Sequence, residues 1–227
     1  MVTEELILLM YTLPFNFLDM KNIVLKITLA VFFMTTIVSC TEDETALPAT
    51  TVTISKEDFQ TAVNSTDLDI ASWTNFNETG SWKWREKTYT TGGVTNGYAE
   101  FSAFNSGSVN TAWLVSPEIN LDVAQKKGVA FEVAQHHLDV DSPNNSLQVF
   151  ISTNYDGTNV LAATWTPLQA NIPTKSVAWY QFVASNVDLS AYSGKAHIAF
   201  KFKGSGTDTT LDGAFQVDNF LFYKLNN

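Results

Sequence analysis

An all-β fold is the class that this sequence predicts, and two observations carry the prediction. Apolar and polar residues alternate in many short runs, which is the period of a β-strand with one buried face. Turn sequences such as "TTGGVTNG", "FNSGS" and "DSPNN" separate these runs, and no window holds a long helical pattern. Many short strands joined by regular turns favour an antiparallel β-sandwich of the jelly-roll type, built as a single domain.

The individual strands follow from this alternation. In "AHIAFKFKG", Ile198, Phe200 and Phe202 form an apolar face, and "SWKWREK", "GVAFEVAQHH" and "SLQVFIST" show the same period. The run "GAFQVDNFLFYKL" is apolar on both sides, which is typical of a central strand. The six tryptophans all lie between positions 73 and 179, and we expect them in core and cross-strand packing.

An export signal precedes the predicted sandwich. It begins with a segment at 20–26 that carries two lysines, continues through an uncharged apolar run at 27–38, and ends with Ser39 and Cys40. As a helix, the apolar run would span about 18 Å, which is too short for a stable transmembrane helix across a hydrocarbon core of roughly 30 Å. The letters "IVSC" resemble the bacterial lipobox, in which the cysteine is lipidated. We therefore predict a lipoprotein signal peptide at 20–39 and lipidation of Cys40; a buried core thiol is the alternative.

Residues 1–19 fit this signal poorly. Glu4 and Glu5 lie where an export signal requires positive charge, which indicates that translation starts at Met20. The alternative is one long membrane anchor over 6–38. It would bury three charged residues at roughly 2.5–3.5 kcal/mol each near the bilayer centre.

An acidic and polar segment follows Cys40. The letters "CTEDE" resemble the acidic signals that send some Bacteroidetes lipoproteins to the outside of the outer membrane. The rest of residues 40–52 contains Pro48 and several threonines and is typical of a solvated tether. We expect an outer-membrane lipoprotein, exposed at the cell surface, whose sandwich domain occupies residues 53–227.

Charge and cysteine content narrow the classes of partner. The chain has 13 basic and 23 acidic residues, for a formal net charge of −10 at pH 7. Nucleic acid is not an expected partner, because its phosphates must be met by Lys and Arg. The membrane is expected as a partner only through the lipid on Cys40. This cysteine is the only one, so lipidation leaves no disulfide and the domain must be held by its core or by a metal.

Five sequence blocks carry a resemblance to a known family. They are "WTNFNETGSWKWREKTY", "NGYAEFSAFNSGSVNTAWLVSPEINLD", "LQVFISTNYDGTNVLAATWTPL", "VDLSAYSGKAHIAFKF" and "FQVDNFLFY". Their order resembles the choice-of-anchor J, or cleaved-adhesin, family over residues 54–223, and "WLVSP" and "STNYDG" are the most specific markers. The resemblance implies a jelly-roll module similar to MAM and galactose-binding-like sandwiches, and it says little about function.

The resemblance also implies a structural calcium ion. In the family, the aspartate of the final "VDN" strand, here Asp218, helps to hold a cation near the start of the domain. The matching residues on the other side would be Asp58, with Glu57 as its substitute, and Asn110. The chain departs from the family pattern just before Trp113, where an acidic residue is common but Thr and Ala stand here. The alternative is that Asp218 only accepts hydrogen bonds from backbone or hydroxyl groups.

Strand alternation predicts the surroundings of these and other polar residues. It puts Asp218 on the same face as Phe220 and Phe222, where a carboxylate needs a partner because an isolated buried charge costs several kcal/mol. It puts His136 and His137 on opposite faces, so they are not expected to bind one metal. The segment "DVDSPNNS" lacks the glycine and the glutamate of an EF-hand loop and predicts a polar turn.

No enzyme signature is present, since the sequence has no nucleophile elbow, zinc-binding helix or phosphate-binding loop. We expect a non-catalytic binding or adhesion module on the cell surface. The alternative is a glycan-binding accessory protein in polysaccharide capture, which requires exposed aromatic side chains. Its candidates are Tyr89, Tyr98, Tyr155 and Trp165, although each of these side chains is expected to be buried.

Overall fold

The structure is a computed structural model that describes residues 51–226. Within this range the chain forms strands, turns and two single-turn 3₁₀ helices, and no helix is long and apolar enough to cross a membrane. The predicted export signal, Cys40 and most of the tether lie outside the described residues. The strands are β1 Thr51–Glu57, β2 Thr66–Asp67, β3 Thr74–Thr79, β4 Arg85–Thr91, β5 Val94–Ser102, β6 Val109–Val115, β7 Ile119–Asn120, β8 Lys127–His136, β9 Ser146–Ser152, β10 Thr166–Leu168, β11 Val183–Asp188, β12 Lys195–Ser205 and β13 Ala214–Leu225.

Two antiparallel sheets build the sandwich. The seven-stranded sheet has the order β11-β8-β13-β5-β4-β2, with β1 as its seventh strand. β5 pairs with β13 over 214–217 and β1 pairs with it over 220–225, so the first and last strands are neighbours. The six-stranded sheet has the order β10-β9-β12-β6-β3, and β7 pairs with the start of β12. The prediction of an antiparallel jelly-roll sandwich is confirmed, as is the central place of the "GAFQVDNFLFYKL" strand, which is β13.

Phenylalanines fill the space between the sheets. Phe101 of β5 stacks on Phe202 of β12 with ring centroids 4.3 Å apart, and Phe131 of β8 meets Phe200 of β12 edge-on at 5.0 Å. All four rings are buried. Because side chains alternate along a strand, the neighbours of Phe101 and Phe131 point away from the core. The seven-stranded sheet therefore presents a second, outer face to solvent.

A β-bulge in β13 changes which residues lie on that outer face. The register between β13 and β8 shifts between Asp218 and Leu221, and Asn219 has a φ of 50°. Val217 before the bulge and Phe220 and Phe222 after it all belong to the core, so the extra residue places Asp218 on the outer face. The prediction that Asp218 shares a face with Phe220 and Phe222 is wrong for this reason.

Candidate ligand-binding groove

A groove, with a cavity of about 590 Å³, lies on the outer face of the seven-stranded sheet. Side chains from β4, β5, β8 and β13 line it, together with the segment just before β11. Alternation places them there, because Ala99 and Phe101 on the same strand point into the core. The lining residues are Lys87, Tyr89, Asn96, Tyr98, Glu100, His136, Tyr180, Phe182 and Gln216.

Polar side chains from three adjacent strands form the floor of the groove. The Glu100 carboxylate accepts a hydrogen bond from Nε2 of Gln216 at 2.8 Å and lies 3.3 Å from Nε2 of His136. Burial acts to raise the pKa of Glu100, but the contacts with His136 and Gln216 outweigh it and hold this pKa below its ordinary value. Burial and the Glu100 charge raise the pKa of Tyr98 to about 12. The floor therefore combines a fixed carboxylate, an amide, an imidazole and a neutral phenol.

Aromatic rings form the walls of the groove. Tyr89 is 64% exposed at the β4 side. At the other side Tyr180 is 53% exposed, and its ring stacks on His136 with centroids 4.7 Å apart. Phe182 meets Tyr98 edge-on at 6.2 Å. Rings with one face in solvent and one edge fixed by packing can stack on a flat apolar ligand surface.

A second cavity, of about 380 Å³, adjoins the groove and shares His136 with it. Phe104, which is 57% exposed, provides an aromatic surface there. Asp139 and Asp212 both line this cavity, and burial together with the charge of Asp139 raises the pKa of Asp212. The remaining lining residues are Ser102, His137 and Thr209.

The two histidines meet where the cavities join. Their Nδ1 atoms are 2.8 Å apart, although strand alternation predicts opposite faces for them. That prediction is wrong because β8 ends at His136 and His137 has a φ of 55°, which stops the alternation. Trp179, which is 52% exposed, packs on the His137 ring with centroids 4.1 Å apart. The histidine pair thus connects Tyr180 of the groove with Trp179 beside the second cavity.

Asp218 lies next to the groove rather than in it. Its carboxylate accepts hydrogen bonds from Nδ2 of Asn96 at 2.8 Å and from the backbone N–H of Asn219 at 2.6 Å. Burial raises the pKa of Asp218 to about 6, and the charges of Glu132 and Asp58 contribute to this shift. Two amide donors thus compensate only part of the cost of burying this carboxylate.

The four residues predicted to hold calcium do not form one cluster. Asp58 is close enough to influence Asp218, but its Oδ2 lies 2.8 Å from Nζ of Lys56. Oε1 of Glu57 accepts a hydrogen bond from the backbone of Phe59 at 2.7 Å.

Asn110, the fourth residue, lies in the six-stranded sheet, where its amide donates to Ser106 and to the Ser108 carbonyl. Its Oδ1 is buried, has no hydrogen-bond partner and lies against Gly80. Within residues 51–226 no group of three or more His, Cys, Asp or Glu side chains is arranged to hold a metal ion. A calcium site at Asp218 remains a prediction that involves the end of β1 and not Asn110.

The aromatic candidates from the sequence divide between two places. Tyr89 and Tyr98 line the groove. Tyr98 is buried in its floor as expected, whereas the expectation that Tyr89 is buried is wrong, because its side chain is exposed. Tyr155 is buried and Trp165 is half-buried in a separate cluster around Trp113 on the six-stranded sheet.

Sequence reasoning missed Tyr180 in the segment before β11, and its expectation that every tryptophan lies in core or cross-strand packing is wrong for Trp179, whose side chain is 52% exposed. Trp179 and Tyr180 are adjacent in "SVAWYQF", which lies outside any alternating run. Two neighbouring aromatics in a polar loop cannot easily both be buried, and this local pattern is the signal that could have found them.

Comparison with known proteins finds no family model that matches this chain and no match among curated proteins. Solved structures are similar at the level of the fold. The K1 cleaved adhesin domain of Lys-gingipain from Porphyromonas gingivalis W83 is 19% identical with a TM-score of 0.46, covering 78% of this chain and 99% of that chain. A family 29 carbohydrate-binding module complexed with cellulohexaose is 8% identical with a TM-score of 0.39, covering 78% and 93%. TmCBM27, a module of specific mannan recognition, is 12% identical with a TM-score of 0.38, covering 78% and 99%. These similarities assign no function to this chain.

Proposed function

We propose that this protein is a non-catalytic glycan-binding module and that the groove is its binding site. One observation carries the proposal. Among residues 51–226 the exposed aromatic side chains are Tyr89, Phe104, Trp179 and Tyr180, and each of them is more than half exposed. Three line the groove or the second cavity, and the fourth packs on His137, which also lines the second cavity. Exposed aromatics gathered on one concave face are typical of a ligand site, and sugar rings stack on them through C–H faces.

The groove floor has the chemistry that sugar hydroxyls require. Hydroxyl groups donate and accept at once, and Glu100 offers an acceptor while Gln216 and His136 offer mixed donor and acceptor atoms. Lys87 adds a cation at the wall, where its Nζ lies 3.2 Å from Oγ of Ser65. Because Glu100 is held by two neighbours, these groups are oriented before a ligand arrives.

The same geometry argues against hydrolysis in the groove. A glycosidase uses a pair of carboxyl groups roughly 5–9.5 Å apart, one of them a general acid with a raised pKa. The residues that line the groove include a single carboxylate, Glu100, and its pKa is lowered. Asp139 and Asp212 lie in the second cavity, where the pKa of Asp212 is raised, so the assay for new reducing ends described below tests that pair. A binding role is therefore the better assignment for this site.

The adhesion role that the sequence favours requires a different surface. A broad protein partner would be met by a flat, extended contact face, whereas this face is concave and lined by aromatic rings. The glycan role, which the sequence supports as the alternative, becomes the leading proposal. We further propose from the sequence that lipidation of Cys40 holds the module at the outer surface of the outer membrane.

A glycan array tests the proposal directly. The protein is applied once in calcium and once in chelator, and Tyr180→Ala is compared with wild type. We expect binding to one class of glycan and a loss of about two- to ten-fold in the variant, because a stacked ring contributes about 0.5–1.5 kcal/mol. Leu161→Ala, which shortens an exposed apolar side chain on a 3₁₀ turn that does not line the groove, should bind like wild type.

Two results would count against the proposal. If the folded protein bound no glycan on the array, this would contradict the glycan-binding role and favour a protein partner. Release of new reducing ends from a bound glycan would show catalysis and contradict the non-catalytic assignment.

A further inference from the structure

The groove continues into the second cavity along one strand. On β5 the outward-facing residues Asn96, Tyr98 and Glu100 line the groove, and the next outward residue, Ser102, lines the second cavity. Ser102 pairs with Ala214 of β13, which pairs in turn with His136, so the shared histidine stands in the row where the two cavities meet. The six residue-to-residue steps of strand from position 96 to position 102 span about 20 Å. This length exceeds a single sugar and suits an oligosaccharide.

Aromatic surfaces stand at both ends of this path and where the two cavities join. Tyr89 pairs with Asn96 and marks one end. Phe104, two residues beyond Ser102, marks the other end. Tyr180 lies between them on His136. A ligand that ended at His136 would not contact Phe104, and this exposed ring would then have no role in binding.

We infer that the groove and the second cavity form one binding path for a linear, neutral polysaccharide, with Phe104 as the stacking platform at its far end. This inference rests on the proposed function, and it adds the class of glycan and the direction in which the chain lies. The chain runs along β5, and an internal stretch of polysaccharide fills the path.

Charge along the path favours a neutral chain over an acidic one. Three carboxylates, Glu100, Asp139 and Asp212, face it, whereas Lys87 is the lysine that lines it. The pKa of Asp212 is already raised by burial and by Asp139, so a further negative charge nearby is unfavourable. The formal net charge of −10 adds a general repulsion for polyanions such as polyuronates.

Chain-length dependence of binding tests the inference. Neutral cello-, manno- and xylo-oligosaccharides, from disaccharide to octasaccharide, are titrated into the full-length protein by calorimetry. We expect affinity to rise with length until the path is filled. Phe104→Ala should weaken binding of the octasaccharide by about two- to ten-fold and leave binding of the shortest ligand unchanged. Tyr180→Ala should weaken every length, and Leu161→Ala should weaken none.

The outcomes separate this inference from the proposed function. Affinity that does not depend on length, or equal effects of Phe104→Ala on short and long chains, overturns the extended path while glycan binding stands. Tighter binding of a polyuronate than of the neutral series overturns the neutral class. Failure of every oligosaccharide to bind removes the proposed function itself.

Discussion

Asp218 is a buried carboxylate whose ionised form has two amide donors and two acidic neighbours. Its pKa is raised from 3.8 to about 6 mainly by burial. The folded protein therefore binds this proton more tightly than the unfolded chain does. For that reason, protonation of Asp218 stabilises the folded protein, and the free energy of unfolding rises as the pH falls from 7 towards 5. Below about pH 4 the carboxyls whose pKa is lowered, such as Glu100, lose their contribution instead.

We predict that Asp218→Asn removes most of this pH dependence. Asparagine keeps the shape and one acceptor oxygen without the charge, so the variant should be as stable as wild type or more stable at pH 7, by up to about 3 kcal/mol. Urea unfolding at pH 7, 6 and 5 measures the effect. A wild-type protein that loses stability between pH 7 and pH 5 would contradict the assignment.

Calcium should act on the same residue in the opposite direction, because a cation favours the ionised form of the carboxylate whereas burial disfavours it. A cation at Asp218 would stabilise the ionised carboxylate, so the melting temperature at pH 7 would rise with added calcium and fall with chelator. If calcium binds as the family resemblance implies, Asp218→Asn should abolish that rise. Identical melting curves in calcium and in chelator would show that calcium does not stabilise this domain.

Glu100 provides a second test at the scale of a residue. Its carboxylate joins β5 to β13 and β8 through Gln216 and His136. Glu100→Gln loses both charge-assisted contacts, so we expect a loss of about 1–3 kcal/mol in the free energy of unfolding at pH 7, and weaker glycan binding. Glu118→Gln removes the same charge but breaks only an exposed ion pair with Lys195, so it is the control and should change stability little. If Glu100→Gln were as stable as wild type, this would contradict the claim that the Glu100 carboxylate stabilises the sheet through Gln216 and His136.

At the scale of elements, the packing of the loop after β1 on the seven-stranded sheet depends on a close backbone contact at Gly97. A side chain at this position of β5 would overlap the carbonyl of Phe59, which itself has a φ of 50°. The loop after β1 thus reaches the sheet only because β5 has no Cβ there. We predict that Gly97→Ala destabilises the protein by about 1–3 kcal/mol in chemical unfolding. Val94→Ala, at the exposed start of the same strand, should change stability little.

Alternation in the sequence predicts strands well and their irregularities poorly. β12 and β9 appear where "AHIAFKFKG" and "SLQVFIST" predict them, because burial of one face imposes a period of two. The bulge at Asn219 and the end of β8 at His136 each depend on one residue with positive φ. Asparagine and histidine adopt that conformation more readily than most residues, but nothing in the local pattern requires it.

At the scale of the whole molecule, the fold could be predicted and the groove could not. The groove forms where β4, β5, β13 and β8 lie side by side, and this strand order results from long-range pairing. Glu100 and Gln216 are more than a hundred positions apart, yet they share a hydrogen bond. No periodic pattern in one strand indicates its neighbour, so the sequence could nominate Tyr89 and Tyr98 individually but could not combine them with Tyr180.

We predict from the sequence that Cys40 determines the position of the whole molecule in the cell. Lipidation there would hold the groove on a polar tether outside the membrane, where the proposed polysaccharide ligand would be accessible. We predict that Cys40→Ser blocks incorporation of labelled palmitate and releases the protein from the membrane fraction of a Gram-negative host. Wild type should incorporate the label and remain in the outer membrane, and protease added to intact cells should digest it if the acidic segment directs surface exposure. A Cys40→Ser protein that stays in the membrane fraction would instead support the long anchor over residues 6–38, because that anchor does not need a lipid.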